Sequence, residues 1–176
     1  MILGLSLSVF TTLHVSVSLV AIAAGFIVVG GMLGARRLPG TSAVFLATSV
    51  LTSVTGLLFP FSGLLPSHVF AIVSLVVLAL ALVALYAFRL EGPWRWVYVV
   101  SALVALYLNV FVGVVQAFQK VALLQPLSPT QSEPPFLIAQ LAVLALFVAV
   151  GALALRGFHP VLPVGAAAAA PASRPM

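Results

Sequence analysis

Five apolar stretches dominate this sequence, and each is long enough to cross a lipid bilayer as a helix. The hydrocarbon core of a bilayer is about 30 Å thick, so a helix needs roughly 20 apolar residues to span it. Only 5% of the residues are charged and 64% are hydrophobic, whereas soluble domains carry about 25% charged residues. The sequence therefore predicts an all-α fold, an integral membrane bundle of five transmembrane helices over residues 10–33, 43–61, 69–88, 96–118 and 136–155.

The loops between these stretches predict how the bundle is oriented. Cytoplasmic loops of membrane proteins carry an excess of Lys and Arg. The predicted topology places the N-terminus outside the cytoplasm and the C-terminus inside it, in a bacterial inner (plasma) membrane. On the cytoplasmic side lie Arg36, Arg37, Arg89, Arg95, Arg156 and Arg174, with Lys120 alone on the other side. We assign residues 1–160 to the transmembrane domain and expect the Ala- and Pro-rich residues 161–176 to form a disordered cytoplasmic tail.

The absence of Cys and the scarcity of acidic residues exclude several kinds of chemistry. The chain has no Cys and no Asp, and its only acidic side chains are Glu91 and Glu133. Thiolate sites, paired-carboxylate catalysis and carboxylate-rich metal sites are therefore excluded. The net charge of +5 comes from scattered arginines and forms no patch typical of nucleic-acid binding. No catalytic motif is recognisable, which favours a non-enzymatic protein.

Polar side chains within the predicted spans gather at the extracytoplasmic side. Spacings of three and four residues put polar positions on one face of the first helix and one face of the fourth. Polar groups inside a membrane are costly and often functional. We therefore predict a pocket that binds or passes a small polar or anionic molecule. Its predicted lining is Thr11, His14, His68, Asn109, Gln116, Lys120, Glu133 and Gln140.

Two other interpretations of these residues stay open. His14 and His68 are a pair that could ligate a b-type haem or a metal ion; otherwise the sequence calls for no cofactor. Amide and hydroxyl groups also join helices to one another, at about 0.6 kcal/mol each. In that case the protein is a structural or accessory subunit, packed against copies of itself or against a membrane partner.

Local patterns predict further details of the helices. Glu133 precedes Pro134 and Pro135 and is expected to be the N-cap of the fifth helix. Small residues at Gly30 and Gly34 have the GxxxG spacing of helix-packing motifs. Two further sets are a hydroxyl stripe on the second helix, Thr48, Thr52 and Thr55, and an interfacial aromatic belt, Trp94, Trp96 and Tyr98.

Three segments carry a resemblance to known proteins. The stretches "LYLNVFVGVVQAFQK", "PTQSEPPF" and "TSVTGLLFPFSGLLPSH" resemble those of small uncharacterised bacterial multi-span inner-membrane proteins. The resemblance covers about residues 13–158. It implies a membrane location and recurrent extracytoplasmic segments, and it implies no particular activity or functional residue.

Overall fold

The computed structural model describes Ile2, residues 4–59 and residues 66–159. Within these residues, five helices are long and apolar enough to cross a membrane, which confirms the all-α, five-helix prediction. They are α1 (Leu7–Leu33), α2 (Pro39–Leu57), α3 (Pro66–Leu82, continued by a π-helical turn over Val83–Ala87), α4 (Trp94–Lys120) and α5 (Pro134–Gly157). The predicted tail, residues 161–176, lies outside the described residues.

The helices begin where the local chemistry supplies a start signal. Ser6 caps α1, since its side chain accepts a hydrogen bond from the backbone N–H of Val9. Pro39 opens α2 four residues before the predicted start, because the fixed φ of proline suits the first helical turn. Glu133 is the N-cap of α5 and Pro134 and Pro135 occupy its first turn, as predicted.

Four helices form a ring and the fifth packs on its outside. Contacts join α1 to α2, α2 to α3, α3 to α4, and α4 back to α1, while α5 packs on α4 and α1. Only 11% of the most apolar segment of α5 is buried, compared with 28–44% for the other four helices. The surface of α5 is therefore the part of the bundle most open to lipid.

Among the glycines of α1, Gly25 near the middle of the helix has the tightest surroundings. A Cβ at this position would lie 2.5 Å from Leu106 Cδ1 of α4 and 2.9 Å from Phe45 Cε2 of α2. The GxxxG pair has no comparable role within the chain. A Cβ at Gly30 would meet nothing within 4 Å, and Gly34 is the C-cap of α1. The close packing of α1 therefore depends on Gly25 and not, as expected, on the GxxxG spacing.

Because successive helices alternate in direction, the bundle has two chemically different ends. The histidine end carries His14, His68 and Lys120. The arginine end carries Arg36, Arg37, Arg89, Arg95 and Arg156. At the arginine end, the turn between α3 and α4 has positive φ angles at Arg89, Leu90 and Gly92.

The aromatic residues that follow this turn divide between surface and interior. Trp96 is 53% exposed, as expected for an interfacial residue, and Trp94 stacks on Phe88 with ring centroids 3.8 Å apart. Tyr98 is only 2% exposed, so the expectation that it belongs to the aromatic belt is wrong. Its side chain lies inside the bundle.

Candidate functional site

A row of hydroxyl groups on α2 is the main polar feature of the bundle interior. Seven of the 19 residues of α2 are Ser or Thr, and its mean hydropathy of 1.4 is the lowest of the five spans. We call five of these residues the hydroxyl row: Ser42, Ser49, Thr52, Ser53 and Thr55. The three serines of the row are buried.

Hydrogen bonds to the helix backbone make these hydroxyls tolerable in a membrane. The Ser53 hydroxyl donates to the Ser49 carbonyl at 3.0 Å, and the Thr55 hydroxyl donates to the Leu51 carbonyl at 2.7 Å. Such bonds to the preceding turn occupy the hydroxyl proton. The oxygen lone pairs remain available to partners on other helices.

Two side chains of α4 reach across the ring to the hydroxyl row. Asn109 Nδ2 donates to Ser49 Oγ at 3.0 Å, and the Tyr98 hydroxyl donates to Ser42 Oγ at 3.2 Å. These two contacts are eleven residues apart on α4, or about 16 Å along the helix axis. The hydroxyl row is thus tied to α4 both in the middle of the bundle and near the arginine end.

His14 lies where the hydroxyl row reaches the histidine end. Its Nδ1 is 2.8 Å from Thr55 Oγ1, and its ring meets the edge of Phe59 with centroids 5.2 Å apart. When the Thr55 hydroxyl donates to the Leu51 carbonyl, His14 Nδ1 is the donor to Thr55. The neutral ring then offers Nε2 as an acceptor. Lys120, the last residue of α4, lies at the same end of the bundle, so this end also carries a basic group.

Thr52 lies between these contacts on α2, three residues from Ser49 and three from Thr55. Its Oγ1 is buried, and no hydrogen-bond partner for it is found in the described part of the chain. Buried polar atoms are nearly always paired, with protein or with an ordered molecule, because an unmade hydrogen bond costs about 1–3 kcal/mol. Thr52 therefore marks a point in the row where a small polar molecule would gain a hydrogen bond.

A small cavity lies at the other end of the hydroxyl row. Its volume is about 40 Å³, enough for about three water molecules. The polar residues that line it are Arg36, Arg37, Ser42, Tyr86 and Tyr98. The Ser42–Tyr98 hydrogen bond is therefore part of the cavity wall, and the row ends in a basic, water-sized space at the arginine end.

The remaining predicted site residues have separate surroundings. Thr11 donates to the Leu7 carbonyl of its own helix at 2.8 Å. Gln140 is buried between α5 and α4, where its Nε2 donates to the Phe111 carbonyl at 3.2 Å. Its Oε1 has no hydrogen-bond partner within residues 4–59 and 66–159. His68 is buried near the start of α3, whereas Gln116 and Lys120 are exposed.

Glu133 is enclosed by the loop that precedes it. Its carboxylate accepts from the Ser128 hydroxyl at 2.6 Å, from the Thr130 hydroxyl at 2.8 Å and from two backbone N–H groups, those of Thr130 and Ser132, at 3.1 Å each. The hydrogen bond from Ser128, followed by those from Thr130, lowers the pKa of Glu133 from 4.5 to about 2. Glu133 is thus an anion held by its own loop.

Three of the eight predicted residues lie at different seams of the bundle. His14 lies between α1 and α2, Asn109 reaches α2 from α4, and Gln140 lies between α4 and α5. These three residues, together with Thr11 and Glu133, each form a hydrogen bond with a residue that is not among the eight predicted site residues. His14 and Asn109 each contact a member of the hydroxyl row, Thr55 and Ser49 respectively.

The structure adds no further metal ligands to the predicted pair of histidines within the described residues. Among the described residues, no three His, Cys, Asp or Glu side chains lie together as a metal site would require. The two-histidine haem hypothesis, with His14 and His68, stays a prediction. A Soret absorption band in the purified protein would be its test.

Sequence reasoning missed the serines of the hydroxyl row and Tyr98. The signal for the serines was available: Ser42, Ser49 and Ser53 are separated by seven and four residues, which puts them on one helix face. Of the predicted threonine stripe, Thr52 and Thr55 belong to the row, whereas the Thr48 hydroxyl donates to the Val44 carbonyl of its own helix at 2.7 Å. Nothing in the sequence distinguishes Tyr98 from its interfacial neighbours.

Comparison with protein-family models, with curated proteins and with solved structures yields no match for this chain.

Proposed function

We propose that this multi-pass membrane protein binds a small polar or anionic molecule at its histidine end and passes it along the hydroxyl row. The observation that carries the proposal is Thr52. Its buried Oγ1 has no hydrogen-bond partner among the described residues and lies between the His14–Thr55 and Asn109–Ser49 contacts. If the hydroxyls served only to join helices, a partner for Thr52 on a neighbouring helix would be expected.

The ends of the row support a neutral or anionic molecule over a cation. Lys120 lies at the same end as His14, and Arg36 and Arg37 line the cavity at the other end. The only acidic side chains, Glu91 and Glu133, lie outside the helices. The cavity of about 40 Å³ limits the molecule to the size of a few waters.

The orientation of the bundle is part of this proposal. Among the described residues, five arginines lie at the arginine end and Lys120 lies at the histidine end. This imbalance supports a cytoplasmic arginine end in a bacterial inner membrane, because basic loops are retained on the cytoplasmic side. His14 would then face the extracytoplasmic side.

The first test uses the substitution Thr52→Val, which removes the hydroxyl and keeps the shape of the side chain. The full chain is reconstituted into phospholipid vesicles, and vesicle volume is followed by light scattering. An osmotic step with sucrose measures water passage, and an inward gradient of formate measures passage of a small anion. We expect Thr52→Val to slow passage about fivefold, the equivalent of one hydrogen bond of about 1 kcal/mol.

Thr12→Val is the matched control, because Thr12 is exposed and its hydroxyl donates to the Ser8 carbonyl of its own helix. We expect this variant to behave as the original protein does. Since Thr52→Val removes a polar atom that has no hydrogen-bond partner in the described part of the chain, it should not lower the melting temperature. Vesicles no more permeable than protein-free ones, or equal rates for the two variants, would contradict the proposal and favour the accessory-subunit interpretation.

A further inference from the structure

A second, larger cleft lies at the arginine end, between the first turn of α4 and the last turns of α5. Its volume is about 370 Å³, which is within the range of roughly 300–1,000 Å³ typical of small-molecule sites. Its lining is Arg95, Trp96, Ala152, Leu155, Arg156 and His159. None of these residues belongs to the hydroxyl row or to its cavity.

The two arginines of the cleft are placed by different helices. Arg95 donates through Nη1 to the carbonyl of Phe158, the C-cap of α5, which holds its guanidinium in the seam. The guanidinium carbon lies 5.7 Å from the ring centre of Trp96. Because a guanidinium has five N–H donors in a fixed fork, Arg95 retains donors for a ligand.

Among the described residues, no carboxylate lines the cleft beside these charges. Among the described residues, the one acidic side chain at this end is Glu91, in the α3–α4 turn. Arg156 is exposed in the last turn of α5. The cleft therefore presents two guanidinium groups and an imidazole without an acidic counterpart.

The cleft lies at the ends of two candidate spans, where the boundary between lipid tails and headgroups is expected. Arg95 and Trp96 are in the first turn of one span, and Arg156 is in the last turn of another. Ala152 lies one turn deeper in α5, so one wall of the cleft continues as an apolar surface toward the bilayer centre. α5 is also the least buried helix, which leaves this wall open to acyl chains.

We propose that this cleft binds the headgroup phosphate of an anionic phospholipid. Arg95 and Arg156 donate to the phosphate oxygens, and the acyl chains lie along Ala152 and Leu155. Arginine forks match phosphate geometry and form charge-assisted hydrogen bonds. Trp96 supplies an indole at the headgroup level, where such rings are favoured, and basic pockets between membrane helices are typical of such recognition.

The experiment measures thermal stabilisation of the full chain, purified in a neutral detergent, as phosphatidylglycerol is added. We expect a rise in melting temperature with phosphatidylglycerol and a much smaller one with phosphatidylcholine of the same chain length. Arg156→Gln should raise the concentration of phosphatidylglycerol needed for half of the effect about tenfold or more, as expected for losing hydrogen bonds to a charged group. Arg156→Lys should recover part of this loss.

Arg89→Gln is the matched control, since it removes the same charge from an exposed arginine at the same end that does not line the cleft. We expect this control to leave the phosphatidylglycerol titration unchanged. Equal losses in Arg89→Gln and Arg156→Gln would overturn the proposal in favour of general charge attraction. Equal stabilisation by phosphatidylcholine would also overturn it, and so would full stabilisation by inorganic phosphate alone, which would identify a free anion as the ligand.

Discussion

The Glu133 carboxylate is bound by the loop before it and not by the helix that it precedes. Pro134 and Pro135 fill the first two positions of α5 and have no N–H group to offer a capping side chain. The carboxylate therefore turns back to Ser128 and Thr130, which donate at 2.6 and 2.8 Å. This loop conformation depends on Glu133 being ionised, because a protonated carboxyl group cannot accept all four hydrogen bonds equally well.

The pKa of Glu133 leads to a prediction about pH. Its folded value of about 2 is below the ordinary 4.5, so its contribution to stability is complete above about pH 4.5 and is lost as the pH falls toward 2. We expect Glu133→Gln to lower the melting temperature at neutral pH and to weaken the fall in melting temperature between these pH values. Circular dichroism melts in detergent at a series of pH values would measure both effects.

Glu91→Gln serves as the control for this series. Glu91 is exposed in the turn at the opposite end of the bundle, and its substitution should preserve the acid-dependent loss seen in the original protein. If Glu133→Gln and the original protein lose stability in parallel below pH 4.5, the four hydrogen bonds do not stabilise the loop in the way described.

At the scale of single helices, Gly25 and Gly30 show that the same residue has different roles on two faces of α1. The space at Gly25 is occupied by Leu106 and Phe45, whereas the space at Gly30 is open. Small residues at a helix interface allow close van der Waals packing, which is a main source of helix association in lipid. On an open face, glycine only weakens the helix.

We therefore expect opposite effects from the same substitution at these two positions. Gly25→Ala should destabilise the fold by about 1–3 kcal/mol, because the new methyl group overpacks the junction of α1, α2 and α4. Gly30→Ala should be neutral or stabilise the fold by up to about 1 kcal/mol. Unfolding of both variants in the same detergent measures the difference, and a Gly25→Ala variant as stable as Gly30→Ala would contradict the packing of these three helices.

At the scale of the whole molecule, the proposed orientation is testable because the chain has no Cys. Leu123→Cys places a single thiol in the loop between α4 and α5, where Leu123 is 84% exposed. Glu91→Cys places one in the exposed turn between α3 and α4. In intact bacterial cells with a permeabilised outer membrane, an impermeant maleimide should label the first variant, and it should label the second only after lysis.

The reverse pattern would place the arginine end outside and remove the basis for calling the histidine end extracytoplasmic. A single helix, α4, separates the two loops. Labelling of both thiols in intact cells would therefore contradict the conclusion that α4 crosses the membrane.

The sequence by itself determined the number of helices, the loops that carry the arginines and the start of α5. These features depend on properties that are local along the chain: about 20 apolar residues are needed for each crossing, basic residues mark the loops, and two prolines after Glu133 restrict the first helical turn. None of them requires knowledge of which helices are neighbours.

Only the tertiary structure decided which faces of the helices meet. It placed Ser42, Ser49 and Tyr98 in the interior, put His14, Asn109 and Gln140 at separate seams and made Gly25 a position of tight packing in α1. The physical reason is that lipid tails are as apolar as leucine, so inward and outward faces of a membrane helix can have almost the same composition. Hydrophobic periodicity, which identifies the buried face of a helix in water, carries little information in this solvent.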